Sequence, residues 1–186
     1  MPPKVKISRE KIVAAATDLV RKRGVNALNA RSVADALGCS TQPVFSNFAT
    51  MEELKNAVLD TANRLYLSHQ QQAMQQGDLP PYKASGMAYI RFAAEEPELF
   101  RLLFMRDRSH EKTDEATDEL KQMTVLVSRN TGLSQEEAFR FHMEMWVYVH
   151  GIATMLATAF LPWDWEQISQ MLTDAYCSMQ QYYCKE

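Results

Sequence analysis

The sequence predicts an all-α chain of about nine helices. Three observations carry that expectation. Gly (6) and Pro (7) are sparse in 186 residues, and few turn residues leave room for few turns. Apolar residues recur at helical spacing, and no run alternates as a half-buried strand would. Capping residues and glycine stops recur at helix-length intervals. The size fits one domain, or two small ones sharing a core. Hydrophobic residues at 46% and charged residues at 23% are ordinary for a globular chain and exclude a disordered one. Eleven methionines suit an adaptable core or an apolar pocket.

Each element follows from local chemistry. Ile12, Val13, Ala16, Leu19 and Val20 share one face of a first helix, which Gly24 stops. Asn29 caps a short second helix carrying Val33, Ala34 and Leu37, and Gly38 ends it, since a C-cap calls for a left-handed backbone. Ser40 is placed to cap a third short helix, with Pro43 in the first turn, where a missing N–H costs little. Thr50 and Glu53 have the spacing of a capping box for a fourth helix through Leu54, Val58 and Leu65 to about Gln76. The stretch 77–81 is the clearest break. A fifth helix is expected over about 82–95. Pro97 then opens a sixth through Phe100, Leu103 and Phe104. After a polar segment, a seventh helix carries Leu120, Met123 and Val127 and stops at Gly132. Ser134 and Glu137 box a long eighth helix reaching about Phe160, and Asp164 caps a ninth through Ile168, Leu172 and Tyr176. The Gln-rich patch at 70–76 reads as a solvated helix end.

The net charge of −3 hides a division. Residues 1–48 carry eight Lys/Arg against three Asp/Glu, and residues 49–186 carry twelve against twenty. A basic head on an acidic body suggests that only the head meets a polyanion. Cys39, Cys177 and Cys184 form no CxxC and no metal spacing, which argues against a disulfide scaffold and fits a reducing, cytoplasmic setting. The first residues lack the apolar run of a signal peptide. Residues 145–160 carry no formal charge, but His150, Gly151, Thr154 and Thr158 interrupt them and basic flanks are missing. They read as a helix buried in protein and not as a membrane span.

The most informative span is 29–48, NARSVADALGCSTQPVFSNF. Two short helices flank a tight turn at Gly38, Cys39 and Ser40. Val33, Ala34 and Leu37 hold the first to a core, and Val44 and Phe48 hold the second. Thr41, Gln42 and Ser46 then face outward, as a helix-turn-helix requires for entering a major groove. Residues 8–59 resemble the DNA-binding domain of the TetR family of bacterial transcriptional repressors. The resemblance rests on Ala14-Ala15 to Gly24, on RSVADALGCS, on the aromatic pair Phe45 and Phe48, and on Glu52-Glu53-Leu54. Trp146 to His150-Gly151 resembles the Trp…His-Gly signature of one ligand-domain subgroup.

That resemblance implies base or phosphate contact by Arg31, and a base-facing start of the recognition helix at Thr41, Gln42 and Pro43. It also exposes departures. Phe45 stands where a Tyr usually bonds phosphate, Asn47 where a His is common, and Met51 where a Lys usually meets the backbone. Affinity is then expected to rest more on Lys4, Lys6, Arg9, Arg31 and the amides opening the fourth helix. Ser40, Phe45, Ser46 and Asn47 complete the expected DNA-facing set, with core packing the competing role for Phe45. The expected division is a DNA-binding domain over 1–50 and a ligand-binding and dimerisation domain over 51–186.

The remaining two-thirds contain no P-loop, GxGxxG, HExxH or GxSxG, so neither an enzyme nor a cofactor is expected. His142 and His150 lie two turns apart without a carboxylate at metal spacing and read as packed helix histidines. Cys177 and Cys184 share a face and read as buried. A dense aromatic and Met set includes Phe92, Phe104 and Trp146. An ordinary core explains most of it, and an apolar effector pocket would recruit a subset, with His142, Tyr148 and His150 as polar members. The expected pocket is Phe92, Phe104, His142, Trp146 and His150. The last two helices, near 134–160 and 164–183, carry Met155, Leu156, Phe160, Ile168, Met171, Leu172, Tyr176, Met179 and Tyr183, more apolar surface than one side needs. A homodimer through a four-helix bundle would use it. The implied function is a dimeric repressor that releases a palindromic DNA operator on binding a hydrophobic small molecule. The alternative is an all-helical interaction module with weakened DNA binding, motivated by Phe45 and Met51.

Overall fold

A computed structural model describes residues 7–107, 118–160 and 162–184. Among them the chain forms nine α-helices and no strand: α1 (Arg9–Arg23), α2 (Ala30–Ala36), α3 (Gln42–Asn47), α4 (Met51–Gln76), α5 (Pro81–Glu95), α6 (Pro97–Phe104), α7 (Asp118–Thr131), α8 (Gln135–Ala157) and α9 (Trp165–Tyr183). A single 3₁₀ turn, Val25–Ala27, links α1 to α2. The all-α expectation holds, element by element.

Most boundaries follow from caps. Ser8, Asn29, Ser134 and Asp164 each accept a backbone N–H at the start of a helix. Full capping boxes open α8 and α9. The box expected at Thr50 and Glu53 forms differently. Thr50 Oγ1 accepts from Glu53 N–H at 3.1 Å, but the Glu53 carboxylate reaches one residue further back, to Ala49 N–H at 2.8 Å. Ser40 does not cap α3. That helix starts at Gln42, with Thr41 in the cap position and no side-chain cap bond. Its backbone there is already helical (φ −71°, ψ −13°), so the extended geometry that aims a capping hydroxyl is lost. The eighth helix ends at Ala157 and not near Phe160, where Ala159 takes a positive φ of 53°.

The chain divides into two compact units. The first holds the described residues up to 67 together with 96–106, and the second holds 68–95 and the described residues from 107 onward. This differs from a single cut near residue 50. The reason is α6, which packs on α1. Its Leu99 and Phe100 are fully buried, and Glu96 at its start accepts from Arg21 Nε at 2.7 Å. The first unit's core comprises Ile12, Ala16 and Val20 from α1, Val33 from α2, Val44 and Phe48 around α3, Leu54, Val58 and Ala62 from α4, and these α6 residues. In the second unit α8 packs against α5, α7 and α9. Val127, Leu133, Ala138, Phe141 and Met145 cluster there, under Tyr82, Tyr176, Met179 and Tyr183. The uncharged stretch of α8 is core, with Val149, Ile152, Ala153 and Ala157 buried. Among the described residues no helix is long and apolar enough to cross a membrane.

Candidate functional site

The first unit presents a helix-turn-helix. Val33 and Ala34 seat α2, and Val44 seats α3, each with its side chain buried. Between the helices, the Gly38 N–H donates to the Asp35 carbonyl at 3.1 Å, and Gly38 takes φ +63°, which turns the Cys39 N–H back to the Ala34 carbonyl at 3.0 Å. A side chain there would hold the backbone in a region L-residues avoid. With Val44 and Phe48 inward, α3 shows Gln42, Phe45 and Ser46 to solvent, while Thr41, Pro43 and Asn47 are half-buried. Ser40 is exposed in the turn, and Arg31 is exposed on α2.

Phe45 settles one of the open choices. It is 55% exposed, so it is not core; Phe48, at 1%, fills that role. Other polar members are committed inside the unit. Ser46 Oγ donates to the Gln42 carbonyl at 2.8 Å, and Asn47 Nδ2 donates to the Pro43 carbonyl at 2.8 Å and the Ile7 carbonyl at 3.5 Å. Arg9 is the most occupied. Its Nη1 donates to the Asn47 carbonyl at 2.6 Å and pairs with Glu53 at 2.9 Å, and the guanidinium lies 4.0 Å over the Phe48 ring. Arg9 thus clamps α1 to the end of α3 and the start of α4. The Ala49 N–H, then Arg9, hold the Glu53 carboxyl below its ordinary range. Met51 is half-buried as the first residue of α4. Lys4 and Lys6 lie outside the described residues. Sequence reasoning placed Arg9 on phosphate and missed this clamp, because its partners sit dozens of residues away on other helices.

In the second unit the two histidines become two rungs between α5 and α8. Tyr82 Oη lies 2.9 Å from His142 Nδ1, and Tyr89 Oη lies 2.8 Å from His150 Nδ1. Seven residues separate the tyrosines and eight the histidines, so the rungs stand about two turns apart on helices running in the same sense. Burial pushes His142 down to about 4 and lowers His150, so both rings are neutral near pH 7. Burial also raises the Tyr82 phenol. Each phenol therefore donates and each Nδ1 accepts, placing the ring proton on Nε2. The tyrosines were not among the expected polar residues; helical spacing put them on α5 but gave no partner.

The other expected effector residues spread out. Phe92 is fully buried, with His69 edge-on at 6.0 Å. Trp146 stacks on His150 at 5.2 Å yet is 38% exposed, on an outer stripe of α8 with Phe139 and Val147. Tyr148 is half-buried on the same helix. Phe104 belongs to the first unit, edge-on to Tyr66 at 5.2 Å and beside Phe100. Cys177 and Cys184 are exposed, correcting their expected burial; the apolar face of α9 turns the other way, through Ile168 and Leu172. Ile168 and Leu172 are core and offer nothing to a partner. The exposed apolar residues of this region are Phe139, Trp146, Val147, Phe160, Trp165 and Tyr182. Among the described residues no cluster of three or more His, Cys, Asp or Glu has the arrangement to hold a metal ion.

Comparison with known proteins reaches the second unit most fully. Residues 82–176 match the family model described as the tetracyclin repressor-like C-terminal domain. No curated protein matches the chain. With half of its length covered by that model, and with nine helices arranged as the family's all-α fold, the chain belongs to the tetracyclin repressor-like family of transcriptional regulators.

Proposed function

We propose that this chain is a repressor that binds a palindromic DNA operator as a homodimer and releases it when a hydrophobic small molecule occupies the second unit. The carrying observation is the helix-turn-helix of the first unit, with Gln42 and Arg31 exposed on α3 and α2. Gln42 has the amide geometry for a base edge, and Arg31 the charge for a phosphate or a guanine. The exposed Ser40 and the half-buried Thr41 border the same surface. Lys4 and Lys6 complete the basic arm in this reading, and the cytoplasm is the compartment it requires.

Selection of duplexes from random-sequence DNA, followed by binding titrations at several salt concentrations, tests it. Gln42→Ala should blur preference at one base pair by roughly 1–3 kcal/mol. Arg31→Ala should weaken binding and, on a phosphate, flatten the salt slope by about one unit. If neither substitution changes binding to the selected palindrome, the assignment is wrong. Met51→Lys should tighten binding to most DNA.

The effector region is proposed along α5 and α8, around Phe92, His142, Trp146 and His150, a reading supported by the resemblance of Trp146 to His150-Gly151 to the Trp…His-Gly signature of one ligand-domain subgroup. Phe104 lies in the other unit, so the proposal rests on the remaining four. A thermal-shift screen of hydrophobic amphiphiles should find binders, since a ligand at a hundredfold excess over Kd stabilises by about 2.7 kcal/mol. A true effector must also release DNA, because only differential affinity moves a two-state equilibrium. A second reading, an interaction module with weak DNA binding, is favoured by the bare ring of Phe45. It predicts shift assays with no selected sequence.

A further inference from the structure

The solvent face of α3 is short of polar groups. Gln42, Phe45 and Ser46 stand at i, i+3 and i+4 and so share that face. Ser46 has committed its proton to the Gln42 carbonyl, and the Asn47 amide its protons to the Pro43 and Ile7 carbonyls. What remains pointing outward is one amide, on Gln42, and one bare aromatic ring, on Phe45 at 55% exposure. The apolar needs of the unit are met on the opposite side, where Val44 and Phe48 are sealed. The ring has no hydroxyl for a phosphate, and burial in the chain's own core does not explain it.

On the reading that α3 enters a major groove, one base-edge group suits a phenyl ring: the 5-methyl of thymine. A neighbouring amide suits adenine, through N6 and N7. We propose that Phe45 is a specificity residue that reads thymine methyls, and that each operator half-site carries an A·T pair for Gln42 beside a thymine for Phe45. Three residues of helix separate the two side chains by about 4.5 Å along the axis. Base pairs repeat about every 3.4 Å, so the two contacts fall one or two base pairs apart.

This inference rests on the DNA-binding reading, and the test separates the two. The full chain is titrated by fluorescence anisotropy against a duplex selected from random DNA. It is then titrated against duplexes in which single thymines are replaced by uracil, which removes only the methyl. One replacement, within two base pairs of the position that Gln42→Ala blurs, should weaken wild-type binding about fourfold. Phe45→Ala should bind the thymine duplex about as weakly and be indifferent to the replacement. Phe45→Leu, which keeps an apolar side chain, should retain part of the sensitivity. Circular dichroism melting of each variant shows that the fold is intact, as an exposed side chain requires. Wild-type binding that ignores every uracil replacement, or Phe45→Ala binding as sensitive as wild type, overturns the methyl reading and leaves DNA binding standing. A wild-type chain that selects no duplex overturns both.

Discussion

Arg9 illustrates how a charge expected on a ligand is committed to the fold. Its guanidinium holds the Asn47 carbonyl, the Glu53 carboxylate and the Phe48 ring at once. A lysine cannot reproduce that planar fork. Arg9→Lys is therefore expected to melt lower than wild type despite the conserved charge. Arg9→Ala should flatten the salt slope of DNA binding by clearly less than Arg31→Ala, since Glu53 already balances Arg9. Equal slopes for the two variants would place Arg9 on phosphate instead. The Tyr82–His142 rung makes a second residue-scale prediction. Burial holds the folded His142 near 4, below its ordinary 6.5. The unfolded chain then takes the proton first, so the rung's stability is complete above about pH 6.5 and is lost as pH falls toward 4. His150 adds to the same slope. Urea titrations should show stability falling by on the order of 1 kcal/mol per pH unit below pH 6 through His142, with a smaller share of the same sign from the half-exposed His150. His142→Gln, which keeps an acceptor for Tyr82, should remove its share of that slope. Tyr82→Phe should cost about 1–2 kcal/mol at pH 7, by stranding Nδ1.

Elements were legible where the chain marks its own ends. Pro97 and the boxes at Ser134 and Asp164 set helix starts within a residue of those found, because a cap is a local hydrogen bond between neighbours in sequence. Asp164→Ala should cost about 1 kcal/mol by differential scanning calorimetry. Gly38→Ala should cost a similar amount, about 1 kcal/mol, although an added Cβ meets no atom within 4 Å. The whole loss is backbone conformation, so a larger side chain at position 38 should cost little more than alanine. Illegible were the pairings. Tyr82 with His142 and Arg9 with Asn47 join helices distant in sequence, and a helical period says which face a residue occupies without saying what meets it. The start of α3 was misjudged for a related reason: Ser40 is a good cap in isolation, but the chain leaves the turn at Gly38 so that α3 starts after Thr41, whose backbone is already helical and whose side chain makes no cap bond.

At the scale of the molecule, the family and the all-α class could be read from about 50 residues and a run of caps, whereas the partition of the chain could not. The proposed dimer shows the same limit. Leu172 counted toward a partner surface from its spacing, yet it is buried within its own unit. Val147, 64% exposed beside Trp146 on α8, is the better probe. Val147→Glu should dissociate the proposed dimer and leave helicity unchanged, whereas Leu172→Glu should lower the melting temperature first. Light scattering alongside circular dichroism separates the two. A wild-type chain that stays monomeric at tens of micromolar removes the dimer from the proposal.

The placement of α6 has a consequence for how the protein is made. Residues 96–106 complete the unit that begins at the N-terminus, after the chain has gone to the second unit and come back. Leu99 and Phe100 are the last pieces of a core whose first pieces are Ile12 and Ala16. On the ribosome α1 to α4 must therefore wait, with part of their apolar face wet, until α6 has been synthesised. The first unit is not a bead that folds first and is followed by the second. A nascent chain halted at residue 67 should be digested readily by added protease, and the first unit should gain protection only once α6 has cleared the exit tunnel. Premature termination between those points releases a fragment that carries the whole helix-turn-helix motif and lacks the residues that close it.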